Sequence, residues 1–245
     1  KAWKHMATSQ KDGYGAAWFT DDGQIGYYKR RSPEIATEKT QLPFLKDKST
    51  ALDFWETFLD DVPSDGGFLI IHGRSASPGI AINLGNTHPM IAENVALIHN
   101  GSVTSDKYNN KIEDCTCDSE LVLQAFLAGG PNEIEFALDG WYAMMCLQYT
   151  PPTSEELATN PAVIGKKTLH IVKDFKSNLH CGVMPDGSYI MGTSEYLLKD
   201  MGGYIEGEWR DHVYVAFAGP KEFEFKEFKK LYAGEKFKLP PKLKQ

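Results

Sequence analysis

The sequence lacks the features by which membrane proteins and nucleic-acid-binding proteins are usually recognised. Its 245 residues include no apolar run near the ~18 residues of a membrane-spanning helix, and no signal-peptide pattern. The net charge is −7, whereas binding nucleic acid by phosphate neutralisation requires a basic face. We therefore expect neither a membrane nor a nucleic acid among the partners.

Cysteine is scarce, and its spacing is unlike that of a metal site. The four cysteines are Cys115, Cys117, Cys146 and Cys181, and none forms a Cys-x-x-Cys pair. Cys115 and Cys117 are too close together for a usual zinc half-site, and no matching histidine cluster follows them. Cys146 and Cys181 lie in apolar runs that favour buried thiols. The pattern predicts a reduced, cytoplasmic protein with no metal and no cofactor.

Hydrophobic periodicity predicts one domain, residues 1–245, of mixed helix and antiparallel strand. No linker or 20–50-residue repeat divides the chain. Strands are predicted within 12–31 (two, joined at Asp21–Gly23), 66–74, 95–100, 141–149, 168–175, 179–184, 188–195, 212–218 and 222–232. Helices are predicted over 1–9, 49–62, 117–130 and 131–140, and residues 150–165 are predicted to form a loop.

The strand over 95–100 runs into Asn100-Gly101, and this dipeptide allows two interpretations. Asn-Gly is typical of a tight hairpin turn, because both residues tolerate positive φ. Alternatively, the strand ends there because a strand end can aim an amide side chain and a backbone N–H at a substrate.

Four short polar clusters follow strands or precede a helix: "HGRSAS" (72–77), "NTHP" (86–89), "HNG" (99–101) and "CDSE" (117–120). Each has an ordinary structural interpretation. Arg74 suits a surface ion pair, the residues before Pro89 suit a fixed turn, and Asp118 suits a helix N-cap.

In this order, the clusters resemble the glutaminase domain of class II glutamine amidotransferases, which are N-terminal-nucleophile hydrolases. That family has His-Thr-Arg-x-x-Thr, Asn-x-His-Pro, His-Asn-Gly and Asp-x-Glu opening a helix. "KDGYGAAWF", "LDGWYAMMCL", "MGTSE" and "LYAGEKFKL" resemble further family segments, so the resemblance covers roughly the whole chain. It implies an α+β fold: a four-layer αββα sandwich of two mainly antiparallel sheets.

The resemblance also implies roles for individual residues in hydrolysis of glutamine to glutamate and ammonia. Asn100 and Gly101 correspond to the oxyanion hole. Arg74 corresponds to the residue that binds the α-carboxylate of glutamine, and Asp118 to the one that binds its α-ammonium group. Further positions are expected to shape the pocket without a chemical role: Ser75, Ser77, Asn86 and His88. His99 is expected to be a structural hydrogen-bonding residue, and Glu120 a first-turn residue favoured by the helix dipole.

The sequence departs from the family at the nucleophile. The family attacks with a Cys that is its first residue and uses the α-amine of that Cys as the base. Here residue 1 is Lys, and no cysteine of the chain carries a free α-amine. The expected explanation is a Cys-Gly segment upstream of Lys1. The alternative is a catalytically inactive scaffold or regulatory subunit, and a further one is a hydrolase of the same fold acting on another amide.

The sequence contains no P-loop and no GxGxxG motif after a strand. No synthetase half is therefore visible in it. We expect the ammonia to be released free or to go to a synthase or ligase on a separate chain.

Overall fold

The computed structural model describes residues 12–21, 23–30, 67–109, 115–209 and 213–218. The helices predicted over 1–9 and 49–62 and the strand predicted over 222–232 lie outside the described residues. The strands are β1 (Gly13–Phe19), β2 (Ile25–Arg30), β3 (Leu69–Arg74), β4 (Met90–Ala92), β5 (Val95–Thr104), β6 (Asp139–Thr150), β7 (Lys166–Lys173), β8 (Leu179–Val183), β9 (Tyr189–Gly192), β10 (Tyr204–Trp209) and β11 (Val213–Ala218). The helices are α1 (Ser119–Ala137), α2 (Ser154–Thr159) and α3 (Glu195–Asp200).

The strands form three antiparallel sheets, as expected for an α+β protein of this kind. The largest has the order β11-β7-β6-β5-β4, and the two smaller ones have the orders β2-β1-β3 and β10-β8-β9. All the pairs are antiparallel. Antiparallel neighbours can be joined by short turns, which agrees with the turn at 20–24 between β1 and β2.

The side chains of β5 alternate in direction, and their contacts show how the layers are stacked. Val95, Leu97 and Val103 pack in one apolar cluster with Val122, Leu123 and Phe126 of α1. Ala96 and Ile98 point the other way and pack with Ala17 and Phe19 of β1 and Ile70 of β3. Since successive side chains of a strand point to opposite faces, the five-stranded sheet lies between α1 and the sheet of β1–β3.

The sheet of β8–β10 covers the same face of the five-stranded sheet, further along it. Leu179 and Cys181 of β8 pack against Ile171 of β7 and against Val215 and Phe217 of β11. The second sheet layer therefore consists of two three-stranded sheets over one five-stranded sheet, in agreement with the predicted stacking of antiparallel sheets.

Helix α1 confirms the prediction of two helices separated by glycines. The backbone is non-helical at Gly129 and Gly130, where two helices join across a kink, and Pro131 follows. Gly130 has φ +67°, a conformation that glycine adopts without steric penalty.

Cap residues start two short helices that hydrophobic periodicity does not detect, so the predictions for these two segments were wrong. The segment predicted as a loop contains α2, where Thr153 and Glu156 form a reciprocal capping box. The strand predicted to reach residue 195 stops at Gly192, because the Ser194 hydroxyl accepts the Leu197 N–H and begins α3. Strands β4 and β10 were not predicted. Within the described ranges, no helix is long and apolar enough to cross a membrane.

Candidate functional site

A cavity of about 1040 Å³ lies between the two smaller sheets, above the five-stranded sheet. One side is formed by residues 67–74 of β3 and the chain before it, and the other by residues 189–192 of β9. Met145, Leu169 and Ile171 of the five-stranded sheet also line it. In the described part of the chain, β3 and β9 each occupy the end of their sheet, so two strand edges flank the cavity.

The cavity brings together the predicted site residues, with the exception of Asn86. Residues from all four sequence clusters line it: Arg74, Ser75, Ser77, His88, Asn100, Gly101 and Asp118. Residues separated by more than forty positions thus face one space, which the sequence could suggest only through the order of its motifs.

The strand does not end at Asn100-Gly101, so both the predicted turn and the predicted strand end were wrong. β5 continues to Thr104, with Asn100 opposite Ala143 and Gly101 opposite Tyr142 of β6. β5 continues because β6 provides backbone pairing partners along its whole length, and this tertiary contact is not visible in the local sequence. Asn100 lies on the same face as Ile98, toward the second sheet layer, and its Nδ2 atom donates to the Thr193 hydroxyl at 2.9 Å.

The hydrogen-bonding pattern sets the direction of the Gly101 backbone N–H. The Val103 N–H donates to the Asp118 carboxylate at 2.8 Å, so it points away from β6. The carbonyl of Tyr142, opposite Gly101, accepts the Asp174 N–H at 2.9 Å and also points away from the β5–β6 ladder. Because residues i and i+2 of a strand direct their N–H groups to the same side, the Gly101 N–H points to the edge near Asp118.

Glycine is required at position 101 by close packing. A Cβ atom there would lie 2.2 Å from the Trp141 carbonyl oxygen, 2.6 Å from His99 Nε2 and 2.8 Å from Tyr142 Cα. Two of these neighbours are backbone atoms that cannot move independently. The Asn-Gly pair therefore reflects close approach of two strands rather than turn chemistry.

Arg74 ends β3 and is 6% exposed, which contradicts the surface ion-pair interpretation. Its Nη1 atom makes no hydrogen bond to any residue that the structure describes. The loop after it is held by Asp12, whose carboxylate accepts the Ala76 N–H and whose own N–H donates to the Arg74 carbonyl. The sequence motif "KDGYG" thus fixes the position at which Arg74 enters the cavity.

Asp118 occupies the N-cap position of α1, but its side chain makes no capping hydrogen bond. One carboxylate oxygen accepts the Val103 N–H instead. This bond ties the start of α1 to β5, beside Gly101. The dipole of α1 at this N-terminus favours negative charge beside the cavity.

Asn86 does not line the cavity; it is fully buried and holds the chain segment that leads to Asp118. Its Oδ1 atom accepts the Thr116 N–H at 2.7 Å and the Cys117 N–H at 3.2 Å. Its Nδ2 atom donates to the Ala81 carbonyl and to the Thr116 hydroxyl. Asn86 was expected to shape the pocket. It does not line the cavity, and it affects the pocket only through the backbone that it positions.

Three histidines line the same cavity as Arg74 and are uncharged at neutral pH: the half-buried His72 and the buried His88 and His99. Burial lowers the pKa of His72 to about 3, and the nearby His99 and Arg74 act in the same direction. Burial also lowers the pKa of His88, whose ring centroid lies 4.1 Å from that of His72. Burial lowers the pKa of His99 against the opposing effect of Asp118, and its Nδ1 atom hydrogen-bonds Ser119 at 3.0 Å. Among the described residues that line the cavity, Arg74 is therefore the cation, and it lies among neutral rings.

Thr193 and Cys117 also line the cavity, and neither was predicted as a site residue. Thr193 precedes the cap of α3, and a Ser-Glu pair before an apolar run was the available signal. Cys117 belongs to the quoted "CDSE" cluster, but its spacing from Cys115 was weighed only against a zinc site, which it does not suit. In the described ranges, no group of three or more His, Cys, Asp and Glu side chains is arranged to hold a metal ion.

Comparisons with known proteins find similarity only at the level of structure. No protein-family model matches the sequence, and no curated protein matches it either. The chain is similar to a glutamine phosphoribosylpyrophosphate (PRPP) amidotransferase from B. subtilis complexed with ADP and GMP, with a TM-score of 0.55 and 14% identity. It is also similar to a structure described as the allosteric regulatory enzyme of purine biosynthesis, with a TM-score of 0.56 and 16% identity.

Each alignment covers 91% of this chain but 46% of the other chain, so this chain spans about half the length of those proteins. At these identities the likeness concerns the fold. The chain therefore has an α+β fold similar to that of these two structures.

Proposed function

We propose that this protein hydrolyses the side-chain amide of glutamine to glutamate and ammonia. The observation that carries the proposal is the meeting of Arg74, Asp118, Asn100 and Gly101 around one cavity in an amidotransferase fold. Amide hydrolysis by acyl transfer requires groups that bind the substrate, donors that stabilise an oxyanion, and a nucleophile with a base.

Free glutamine carries two opposite charges at one end, and the cavity has one residue suited to each. The planar guanidinium of Arg74 matches a carboxylate, and its Nη1 atom has no hydrogen bond among the described residues. The Asp118 carboxylate has one oxygen engaged by the Val103 N–H and retains capacity to accept from an ammonium group. This pair selects a free amino acid over an amide inside a peptide.

Two donors are suited to the oxyanion. The Asn100 amide directs one hydrogen to Thr193 and has a second hydrogen to donate. The Gly101 N–H points to the edge of β5 that lies near Asp118. Donors fixed before the reaction lower the barrier, because they need no reorganisation as charge develops.

We place the nucleophile on a Cys that precedes Lys1 in the native protein and begins its mature chain. Its α-amine, with a pKa near ~8, would take the proton from its own thiol. The two strand edges flanking the cavity, β3 and β9, offer hydrogen-bonding partners to a strand carrying that Cys. A cytoplasmic location belongs to the proposal, since the reaction needs a reduced thiol.

The ammonia is proposed to be released free or to serve an acceptor enzyme on a separate chain. The similar structures are more than twice as long as the aligned region, so more than half of each lies outside the alignment. A synthase or ligase on a separate chain would then use the ammonia.

The test uses the full-length native protein, its N-terminus determined by mass spectrometry. We expect ammonia release from glutamine and covalent labelling of the N-terminal Cys by a diazoketone analogue of glutamine. The Cys→Ala variant at that position is the matched control and should show neither.

N-acetylglutamine, which lacks the α-ammonium charge, should be a much poorer substrate. Equal rates on both substrates would favour a hydrolase for another amide. No ammonia and no labelling would favour the inactive scaffold or regulatory subunit.

A further inference from the structure

Cys115 and Cys117 form a close pair of thiols beside the cavity, a feature that the proposed hydrolysis does not use. Their Sγ atoms are 3.6 Å apart, and both residues are buried and reduced. We propose that this pair is a reversible redox site, in which a hydroperoxide converts the two thiols to an intramolecular disulfide.

The two thiols differ in access. Cys117 lines the cavity, so small molecules that enter the cavity meet this residue. Cys115 does not line the cavity, and its sulfur lies 3.6 Å from that of Cys117. The position suits Cys117 as the attacking residue and Cys115 as the resolving one.

The surroundings also favour a thiolate on Cys117. It directly precedes Asp118 at the N-terminus of α1, where the helix dipole stabilises negative charge. The hydrogen bond from the Cys115 thiol lowers the pKa of Cys117, with further contributions from Ser119 and Arg74. The same hydrogen bond and burial raise the pKa of Cys115, so the two roles are chemically distinct.

The reaction balances with hydrogen peroxide as the oxidant. The Cys117 thiolate attacks one peroxide oxygen; an S–O bond forms, the O–O bond breaks, and the leaving hydroxide takes up a proton to become water. The Cys115 sulfur then attacks the sulfenic sulfur of Cys117; the S–S bond forms, the S–O bond breaks, and hydroxide leaves as water with the Cys115 proton. Two thiols lose two electrons in total, and one peroxide becomes two waters.

Closure of the disulfide requires movement of residues 115–118. An S–S bond is about 2.05 Å long, so the sulfurs must approach each other by roughly 1.5 Å. The backbone of this segment is held by Asn86, and Asp118 follows it directly. Oxidation therefore displaces the Asp118 carboxylate from its hydrogen bond to Val103. If the proposed glutamine hydrolysis is correct, this displacement weakens glutamine binding.

Cys146 provides an internal control for an inert thiol. It is fully buried in β6, and burial raises its pKa well above the ordinary value. It does not line the cavity. A general susceptibility of buried cysteines to peroxide would affect Cys146 as well as the proposed pair.

The experiment measures thiols rather than hydrolysis, so its failure is distinguishable from failure of the proposed function. Full-length reduced protein is treated with hydrogen peroxide at pH 7, denatured in N-ethylmaleimide, digested and analysed by mass spectrometry. We expect the peptide containing Cys115 and Cys117 to lose two hydrogens and to resist alkylation until a reductant is added. Cys146 should be alkylated throughout.

Two variants separate the roles of the thiols. In Cys117→Ser, oxidation at Cys115 should be at least tenfold slower than in the wild-type protein. In Cys115→Ser, oxidation should stop at sulfenic or sulfinic acid on Cys117, with hydrolysis before peroxide treatment unchanged.

The proposal is overturned if both thiols of the wild-type protein stay alkylatable. It is also overturned if the disulfide forms only after denaturation, or if Cys115 reacts equally fast in Cys117→Ser. The wild-type mapping decides the question even where a serine variant fails to fold.

Discussion

Two parts of the cavity wall differ in how firmly they are held. We call residues 95–104 of β5 with residues 117–120 the inner wall, and residues 189–201 of β9 and α3 the outer wall. Residues from Val95 to His99 are all buried, and α1 packs directly behind them. Along β9 every residue is half-buried, and α3 has one buried residue, Leu198.

The proposed chemistry is concentrated on the inner wall, which holds Asn100, Gly101 and Asp118. The outer wall contributes the Thr193 hydroxyl to Asn100. Groups that must be placed to within a fraction of an ångström are best supported by packed strands and helices. The comparison therefore predicts large effects from changes to the inner wall and small ones from changes to the outer wall.

Acid should produce the largest effect on stability, because His72 at the cavity and His170 in β7 are held uncharged at neutral pH. Burial lowers the pKa of His72 to about 3 and that of His170 to about 4. An unfolded chain takes up these protons near pH 6.5, so stability is complete above that pH and falls as the pH drops toward the folded values. At pH 5 each of these two histidines should lower the free energy of unfolding by about 2 kcal/mol relative to pH 7. Denaturant unfolding at pH 7 and pH 5 measures the difference.

His170→Gln provides the control for this prediction. His170 hydrogen-bonds Tyr214 and Gln148 away from the cavity, and glutamine keeps polar atoms there. The loss of stability between pH 7 and pH 5 should shrink by about 2 kcal/mol in this variant. If His170→Gln lost as much stability between pH 7 and pH 5 as the wild-type protein, His170 would not be a source of the pH dependence.

Gly101→Ala should be the most damaging single substitution at the site. The added Cβ would lie 2.2 Å from a backbone carbonyl oxygen of the neighbouring strand, so β5 and β6 must separate. We expect a loss of about 3 kcal/mol in the free energy of unfolding, together with loss of hydrolysis. Gly207→Ala in β10 is the matched control, because a Cβ there meets no atom within 4 Å. Similar stability of the two variants would contradict the close-packing argument.

Asn100→Ala should lower kcat for glutamine hydrolysis by about 10²-fold, because one oxyanion donor is removed. The fold should persist, since the Asn100 side chain is exposed in the cavity and its partner, Thr193, is on the outer wall. Steady-state kinetics and a melting curve measured on the same preparation test both parts. An unchanged kcat in a folded variant would exclude Asn100 from the oxyanion hole.

Asp118→Asn should raise KM for glutamine by roughly 30-fold, which corresponds to about 2 kcal/mol for a charge-assisted contact. The asparagine carbonyl can still accept the Val103 N–H, so the melting temperature should change little. A drop in melting temperature with unchanged KM would assign Asp118 a purely structural role.

Thr193→Val should have the smallest effect, since it removes one hydrogen bond from the outer wall. We expect a decrease in kcat of about fivefold, equivalent to ~1 kcal/mol, without a change in stability. Thr193→Ser retains the hydroxyl and should restore activity. An effect as large as that of Asn100→Ala would mean that the outer wall is as strictly positioned as the inner one.

Local patterns predicted much of the secondary structure because their causes are local. Short apolar and aromatic runs predicted the positions of β1 and β3, and the Gly129-Gly130-Pro131 sequence predicted the break in α1. The Thr153 capping box could have revealed α2, since its signal lies within four residues. The existence of β4 and β10 depends on partner strands that no local pattern specifies.

For the candidate site, the sequence by itself determined the order of the polar clusters and the chemical type of each side chain. Only the tertiary structure decided what those residues contact. β6 pairs along the whole of β5, so Asn100-Gly101 lies within a strand instead of ending one. Val103 offers Asp118 a backbone donor, so the Asp118 side chain does not cap its helix. These outcomes depend on partners distant in the chain, whose positions are set by packing of the whole fold rather than by neighbouring residues.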